Sequence, residues 1–245
     1  MAKHAFAVVE SALRARKLDR TLTTSLPSLE RADPGALLPT DVARLDDVLR
    51  GGLPRGQLSE IAGPQTSGRT TLLLQMVSAI TRRGELAALV DTFDSLDVAS
   101  AVAADVNLER LLWIRGDGSP IERAVDRALK ALNLVLQSGG FALVAIDLAD
   151  VPALALKRIP FTTWLRVQRT IEGSDTACVL IAPEPIARSA SGLTVMLTGQ
   201  ATWEGNAQRN RRWTGMDIGV RVISPRRRVD AECRVRCAAP GLRDV

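Results

Sequence analysis

Eight consecutive residues carry the strongest chemical signal in the sequence. Gly63-Pro64-Gln65-Thr66-Ser67-Gly68-Arg69-Thr70 meets every fixed position of the template G-x-x-x-x-G-K-[ST] except the lysine, where Arg69 stands. A loop of this kind wraps backbone N–H groups around phosphate oxygens. Its lysine reaches the β and γ oxygens, and the hydroxyl that follows holds Mg²⁺. Arginine keeps the positive charge, but it is longer, planar and forked, and it does not shrink into a site shaped for a point charge. A second candidate is Asp147, which ends the apolar run Phe141–Ile146. It could act on a metal ion, or it could be a strand-end carboxylate satisfied by nearby loop amides.

The elements around these residues have the order the motif needs. Gln57–Ala62 reads as a strand, Gly63–Gly68 as a glycine-containing loop, and Thr70–Arg83 as a helix stopped at Gly84. The rhythm continues with strands at Leu86–Val90, Leu111–Ile114, Phe141–Ile146 and Ala177–Ile181. Between them lie helices at Leu96–Ala103, Ile121–Gln137 and Phe161–Thr170. Strands and helices alternating through short connections imply an α/β fold whose mostly parallel sheet is covered on both faces. Upstream, Lys3–Arg20 reads as an amphipathic helix with Phe6, Val9 and Leu13 on one face. Residues 21–40, with Pro27, Pro34, Gly35 and Pro39, read as a linker arm. Asp41–Arg50 reads as a short helix capped by Thr40-Asp41 and ended at Gly51-Gly52. Downstream, short strands at Leu193–Leu197 and Ile218–Ile223 suggest an antiparallel extension ending in a basic tail. The expected divisions are 1–39 for the N-terminal helix and arm, 40–200 for the core, and 201–245 for the basic extension.

The approach to the phosphate loop is as distinctive as the loop. The stretch from Gly51 through Gly52-Leu53-Pro54-Arg55-Gly56-Gln57-Leu58-Ser59-Glu60-Ile61-Ala62 to Leu72 resembles the core of bacterial RecA recombinases. The resemblance runs on through Leu89–Asp97 and Phe141–Asp147 and covers about residues 40 to 200. It implies a RecA-like core, and it makes Gly63, Gly68, Arg69, Thr70 and Asp147 the counterparts of a nucleotide site. Set against that family, two further places depart from the pattern. Phe93 stands where recombinases carry the glutamate that activates the attacking water, and a phenyl ring neither accepts a proton nor orients water. Asp94 is adjacent but points elsewhere if the backbone is kept. At Ile181-Ala182-Pro183-Glu184, Pro183 falls where recombinases carry an asparagine–glutamine pair that senses the γ-phosphate. Three altered parts lead to the expectation of a pseudo-ATPase with no catalytic residues and no required cofactor, leaving weak ATP binding open.

Charge adds a second feature. The 245-residue chain has a net charge of +5, and residues 206–228 hold seven arginines (209, 211, 212, 221, 226, 227, 228) against one acid, Asp217. Arg209, Arg211, Arg212, Trp213, Arg226, Arg227 and Arg228 are therefore candidates for binding a partner or DNA. Trp203 and Trp213 could stack on unpaired bases, the arginines could meet phosphates or an acidic protein, or the cluster could be a solvated face. Gln208–Ile218, with its arginines and Trp213-Thr214-Gly215, resembles the C-terminal segment of the ImuA family of degenerate RecA-like proteins. That resemblance implies an accessory role in damage-induced (SOS) mutagenic translesion synthesis. The implied partners are RecA, an ImuB-type Y-family polymerase subunit and an error-prone C-family polymerase, with DNA as a further possibility. The helix Lys3–Arg20 would then be a docking element, or simply a helix packed on its own core. A DNA-binding RecA-like ATPase or nucleotide-gated switch is the alternative.

Composition narrows the remaining classes. His4 is the only histidine, which disfavours a Ser-His-Asp triad or a histidine-rich metal site. Cys178, Cys233 and Cys237 form no CxxC pair, so neither a zinc site nor a structural disulfide is expected. No apolar run approaches the roughly 20 residues of a membrane span, and no signal peptide is apparent, so a cytoplasmic protein is expected.

Overall fold

A computed structural model describes residues 36–187, 192–206, 210–224 and 229–238. The expected helix at Lys3–Arg20, most of the arm, and Arg209, Arg226, Arg227 and Arg228 lie outside the described residues. Two short strands, β1 (Leu37–Leu38) and β2 (Leu53–Pro54), pair antiparallel on either side of helix α1 (Ala43–Leu49). Leu38, Leu45, Leu49 and Leu53 are all buried in one apolar cluster. Leu37–Leu38, at the end of the proline-rich arm, is thus part of the packed structure.

Eight strands form the main sheet: β3 (Leu58–Ala62), β4 (Ala87–Asp91), β5 (Leu111–Arg115), β6 (Leu143–Asp147), β7 (Ala177–Ala182), β8 (Thr194–Glu204), β9 (Arg212–Ser224) and β10 (Val229–Ala238). Their order is β10-β9-β8-β3-β7-β6-β4-β5. From β5 to β8 all neighbours are parallel, whereas β8, β9 and β10 form an antiparallel meander. β4, β6 and β7 are nearly continuous apolar runs because both of their faces are covered, and β3 is buried throughout although it carries Ser59 and Glu60. On one face lies α2 (Arg69–Arg82), which buries Leu73, Met76 and Ile80. α3 (Val98–Ala103) adds Ala101 to the same cluster. On the other face, α4 (Ile121–Ser138), α5 (Ala153–Lys157) and α6 (Phe161–Ile171) bury Leu132, Leu156, Trp164 and Val167. Cys178 sits in this second core, where burial pushes its thiol up to about 12.

Three local expectations are corrected. Thr40 and Asp41 do not cap α1. Instead Asp46, inside the helix, accepts from the Thr40 backbone and hydroxyl at 2.9 and 2.7 Å and from the Asp41 N–H at 3.1 Å. The C-terminal strands are long rather than short, and β8 runs unbroken past residue 200. Residues 229–238, expected within a basic tail, form the edge strand β10, in which Cys233, Val235 and Cys237 turn toward the core while charged residues alternate with them.

Candidate functional site

Strand register collects the candidate residues at the carboxyl end of the parallel sheet. Ala62 of β3 lies beside Ala182 of β7, Ile181 beside Asp147 of β6, Asp147 beside Asp91 of β4, and Asp91 beside Arg115 of β5. The loop 63–68 leaves β3 at this end and closes on the N-terminus of α2. Gly63 donates its N–H to the Ala182 carbonyl at 3.3 Å, and Ser67 donates to the Pro64 carbonyl at 3.2 Å. Thr66 and Gly68 have φ of 62° and 93°, and Gly68 is the residue that opens α2. A left-handed backbone there suits glycine, and packing demands it too: a Cβ on Gly68 would lie 2.4 Å from Ile218 Cδ1.

β8 and β9 roof the loop. A Cβ on Gly63 would meet the Leu197 carbonyl oxygen at 2.4 Å, and one on Gly199 would meet the Thr66 oxygen at 2.3 Å. Gly199 was not visible as a site residue in the sequence, because its partner lies far back along the chain and only the sheet joins them.

Beneath this roof the polar side chains are incompletely satisfied. Ser67 Oγ and Arg69 Nη1 are buried without a hydrogen-bond partner, and Arg69 is only 7% exposed. Burial holds the Arg69 guanidinium below its ordinary pKa, opposed by the charges of Asp147 and Asp150. Asp147 Oδ1 accepts the Ala149 N–H at 2.8 Å, one of the loop-amide bonds expected of a strand-end carboxylate. Burial pushes this carboxyl up to about 6; the Ala149 bond opposes the rise, Asp91 and Asp150 add to it, and Arg69 opposes it. Thr70, the hydroxyl of the motif, is exposed.

Comparison with known proteins adds the family. The RecA N-terminal domain model matches residues 34–158, half of the chain. The chain belongs to the RecA N-terminal domain family. It is 37% identical over 133 residues to Protein RecA of Clavibacter michiganensis subsp. michiganensis, covering 54% of this chain and 35% of that protein. With Protein RecA of Methylococcus capsulatus it shares 38% identity over 122 residues, 49% of this chain and 33% of that one. The chain thus spans about a third of the length of the curated relatives it matches. A crystal structure of the RadB recombinase has the same fold, with a TM-score of 0.56 at 19% identity over 82% of this chain and 96% of that chain.

Within this RecA-family fold, a nucleotide and its Mg²⁺ are the implied ligands. The glycine-bearing loop, the start of a 14-residue helix and the two orphaned polar groups fit a phosphate-bearing anion. The groups expected to act on water are different. Phe93 packs against the second apolar core. Asp94, with φ of 59°, is held by Arg115 through two 2.7 Å bonds, which keep its carboxyl below the usual range. Arg115 in turn lies 4.5 Å over the Trp113 ring. Asp91 accepts from Ser95 N and Oγ, Leu96 N and Trp113 Nε1 at 2.9–3.2 Å, so it organises the 92–96 turn. Beyond Pro183, the Ile186 and Ala187 N–H groups donate to buried Glu60 Oε1 at 2.7 and 2.6 Å. Glu60 thereby ties the middle of the loop-bearing strand to the turn after β7, a role the sequence did not reveal.

Of the candidate partner-binding residues, Arg211, Arg212 and Trp213 lie together at the start of β9. Trp213 is directly opposite Trp203 of β8. They are carried on the same hairpin that roofs the phosphate loop, four residues beyond Gly199 on β8, or about 13 Å along the strand.

Proposed function

We propose that this RecA-family chain is a non-catalytic accessory protein of damage-induced mutagenic translesion DNA synthesis. It acts by docking on RecA, with an ImuB-type Y-family polymerase subunit and an error-prone C-family polymerase as further partners. The observation that carries this reading is a contrast within one sheet. At its carboxyl end, Arg69 stands at the lysine position and Phe93 packs against the core, while its β5 edge leaves apolar residues exposed.

Among the described residues β5 is the outermost strand on its side; it carries exposed Leu112, with exposed Leu108 in the turn just before it. Next to it a small cavity of about 140 Å³ is lined by apolar Val90, Ile114 and Ala128 together with charged Asp91, Arg115, Asp117 and Arg127. An extended segment of a partner can add to such an edge through backbone hydrogen bonds and seat a side chain in the cavity. A RecA-shaped chain that engages one end of a head-to-tail assembly without nucleotide chemistry would stop its growth.

The test pairs calorimetric titration of ATP with Mg²⁺ and a phosphate-release assay with a RecA filament assembly assay. The expected results are no phosphate release, shortened filaments, and loss of that shortening in Leu112→Arg. Steady turnover that disappears in Arg69→Ala overturns the non-catalytic reading. Unchanged filaments overturn the docking reading. The orphaned Ser67 Oγ and Arg69 Nη1 favour a second reading, a nucleotide-gated adaptor. Micromolar ATP binding without hydrolysis would select it.

A further inference from the structure

β10 ends the main sheet on the side opposite β5, and among the described residues no strand pairs with its outer edge. One face of β10 is covered, since Cys233, Val235 and Cys237 pack toward the apolar cluster that holds α1. The other face carries exposed Glu232, Arg234 and Arg236. Exposed Arg44 of α1 donates to the Arg234 carbonyl oxygen at 3.2 Å, so that oxygen is open to a donor other than β9. Along an antiparallel strand, residues turn their backbone groups alternately toward and away from a given neighbour. Residues 232 and 236 therefore face outward with Arg234 and form the unpaired side of the ladder.

Charged residues on an edge strand ordinarily deter pairing, because an arriving strand finds its own charges unmatched. The order of charges in β10 reverses that outcome for one partner. Around Cys233 the acids Asp230 and Glu232 come before, and the bases Arg234 and Arg236 after. A second copy laid antiparallel, with Cys233 opposite Cys233, sets Glu232 against Arg234 twice and position 230 against position 236 twice. The same register brings outward-facing residues together, as a ladder requires. A register centred instead on Glu232 or on Arg234 would set like charges against each other. Within the chain, Glu232 meets Arg221 at 3.8 Å and Arg236 meets Asp217 at 3.2 Å, both as exposed pairs, which contribute little. Arg234 has no carboxylate partner among the described residues. We propose that β10 is a self-pairing edge, through which two copies of this chain join about a two-fold axis at Cys233 into one continuous sheet. Such an interface is isologous and closes at two copies, unlike a head-to-tail contact, which propagates. It lies across the sheet from β5, so this assignment and the docking reading can fail separately.

The test is sedimentation equilibrium of the full chain under reducing conditions, with thiol oxidation as a probe of register. The wild-type chain is expected to form a dimer and nothing larger. Glu232→Arg and Arg234→Glu each turn both cross-strand attractions into repulsions, and each should weaken the dimer roughly tenfold. Mixing the two variants restores opposite charges at both places and should give a heterodimer of near wild-type affinity. Facing Cα atoms of a non-hydrogen-bonded pair lie about 4.5 Å apart, within the span of a disulfide. Oxidation by diamide should therefore link two chains in Cys237→Ser but not in Cys233→Ser. Circular dichroism and thermal melts verify that each variant is folded. A monomeric wild-type chain, a dimer indifferent to both charge reversals, a mixture that stays monomeric, or a cross-link that persists in Cys233→Ser would overturn the proposal.

Discussion

Replacing Asp147 by asparagine should make the protein more stable near neutral pH and leave it unchanged in acid. Burial is the largest influence on this carboxyl and lifts it from 3.8 to about 6. Between those values the folded chain holds a proton that the unfolded chain releases, so stability falls as pH rises through the window. The full cost stands above pH 6. At about 1.4 kcal/mol per pH unit, the rise amounts to about 3 kcal/mol. The asparagine side chain would keep an oxygen for the Ala149 N–H and carry no charge. Part of the gain is offset, because Arg69 loses one of the two anions that support its charge. The expected net stabilisation is about 2 kcal/mol near neutral pH, or roughly 4–8 °C in Tm for a chain of this size. Near pH 3.8, where Asp147 is already protonated in the folded state, it should be close to zero. Chemical denaturation of both proteins in EDTA at each pH reads the difference directly. Lower stability of Asp147→Asn at neutral pH would show that attraction to Arg69 outweighs burial, and an equal effect at both pH values would refute the linkage.

Three other substitutions probe the supports of the site. Gly199→Ala should cost roughly 1–3 kcal/mol, because its Cβ would lie 2.3 Å from the Thr66 oxygen and 2.8 Å from Ser67 Cα. Hydrogen exchange at residues 66–68 should quicken with it, and unchanged exchange there would contradict the roofing of the loop by β8. Glu60→Ala strands two backbone N–H groups and should lose about 2–4 kcal/mol in urea unfolding. Glu60→Gln should lose less, and equal losses would show that acceptor geometry is not what matters. Asp91→Ala removes four hydrogen bonds, including that of Trp113 Nε1 at 3.0 Å. It should cost about 2–3 kcal/mol and shift tryptophan emission, and wild-type stability would dismiss its organising role.

The parts of the fold written locally were legible. β4, β6 and β7 are mostly apolar runs because both of their faces are buried, and the strands expected there and at β3 fall within a residue or two of those observed. The phosphate loop is contiguous, and Asp147 marks the end of its strand, so both could be found without a structure. The meander was harder. From Thr198 to Glu204 β8 is largely exposed, and no hydrophobic alternation records it; pairing with β9 makes it a strand. In β10 the alternation of Cys233, Val235 and Cys237 with charged neighbours was present, but the surrounding arginines made the segment read as a tail. Glu60, Gly199 and the Asp91 bond to Trp113 were missed for a common reason. Each acts on a residue or turn that only strand order and register bring near, and a strand residue gives no local sign of its distant partner.

Arg69, Phe93 and Pro183 are also structural positions, which bears on how the site would respond to change. Phe93 does not stand idle at an open surface, because its side chain packs against the core formed with α4, α5 and α6. A glutamate there would exchange apolar packing for a carboxylate facing that core, a change that costs folding energy before it offers any chemistry. Asp94 is no ready substitute, since moving it means breaking two 2.7 Å bonds to Arg115 and disturbing the stack on Trp113. Arg69 is enclosed by the loop and influenced by Asp147 and Asp150, so lysine at this place would alter the charge balance of the strand end as well as the reach of the cation. At Pro183 the chain has no N–H to offer, and the turn beyond it is already anchored to Glu60. The sheet's carboxyl end is therefore held as one connected arrangement, in which changing a single residue leaves the neighbouring contacts arranged around the one it removed.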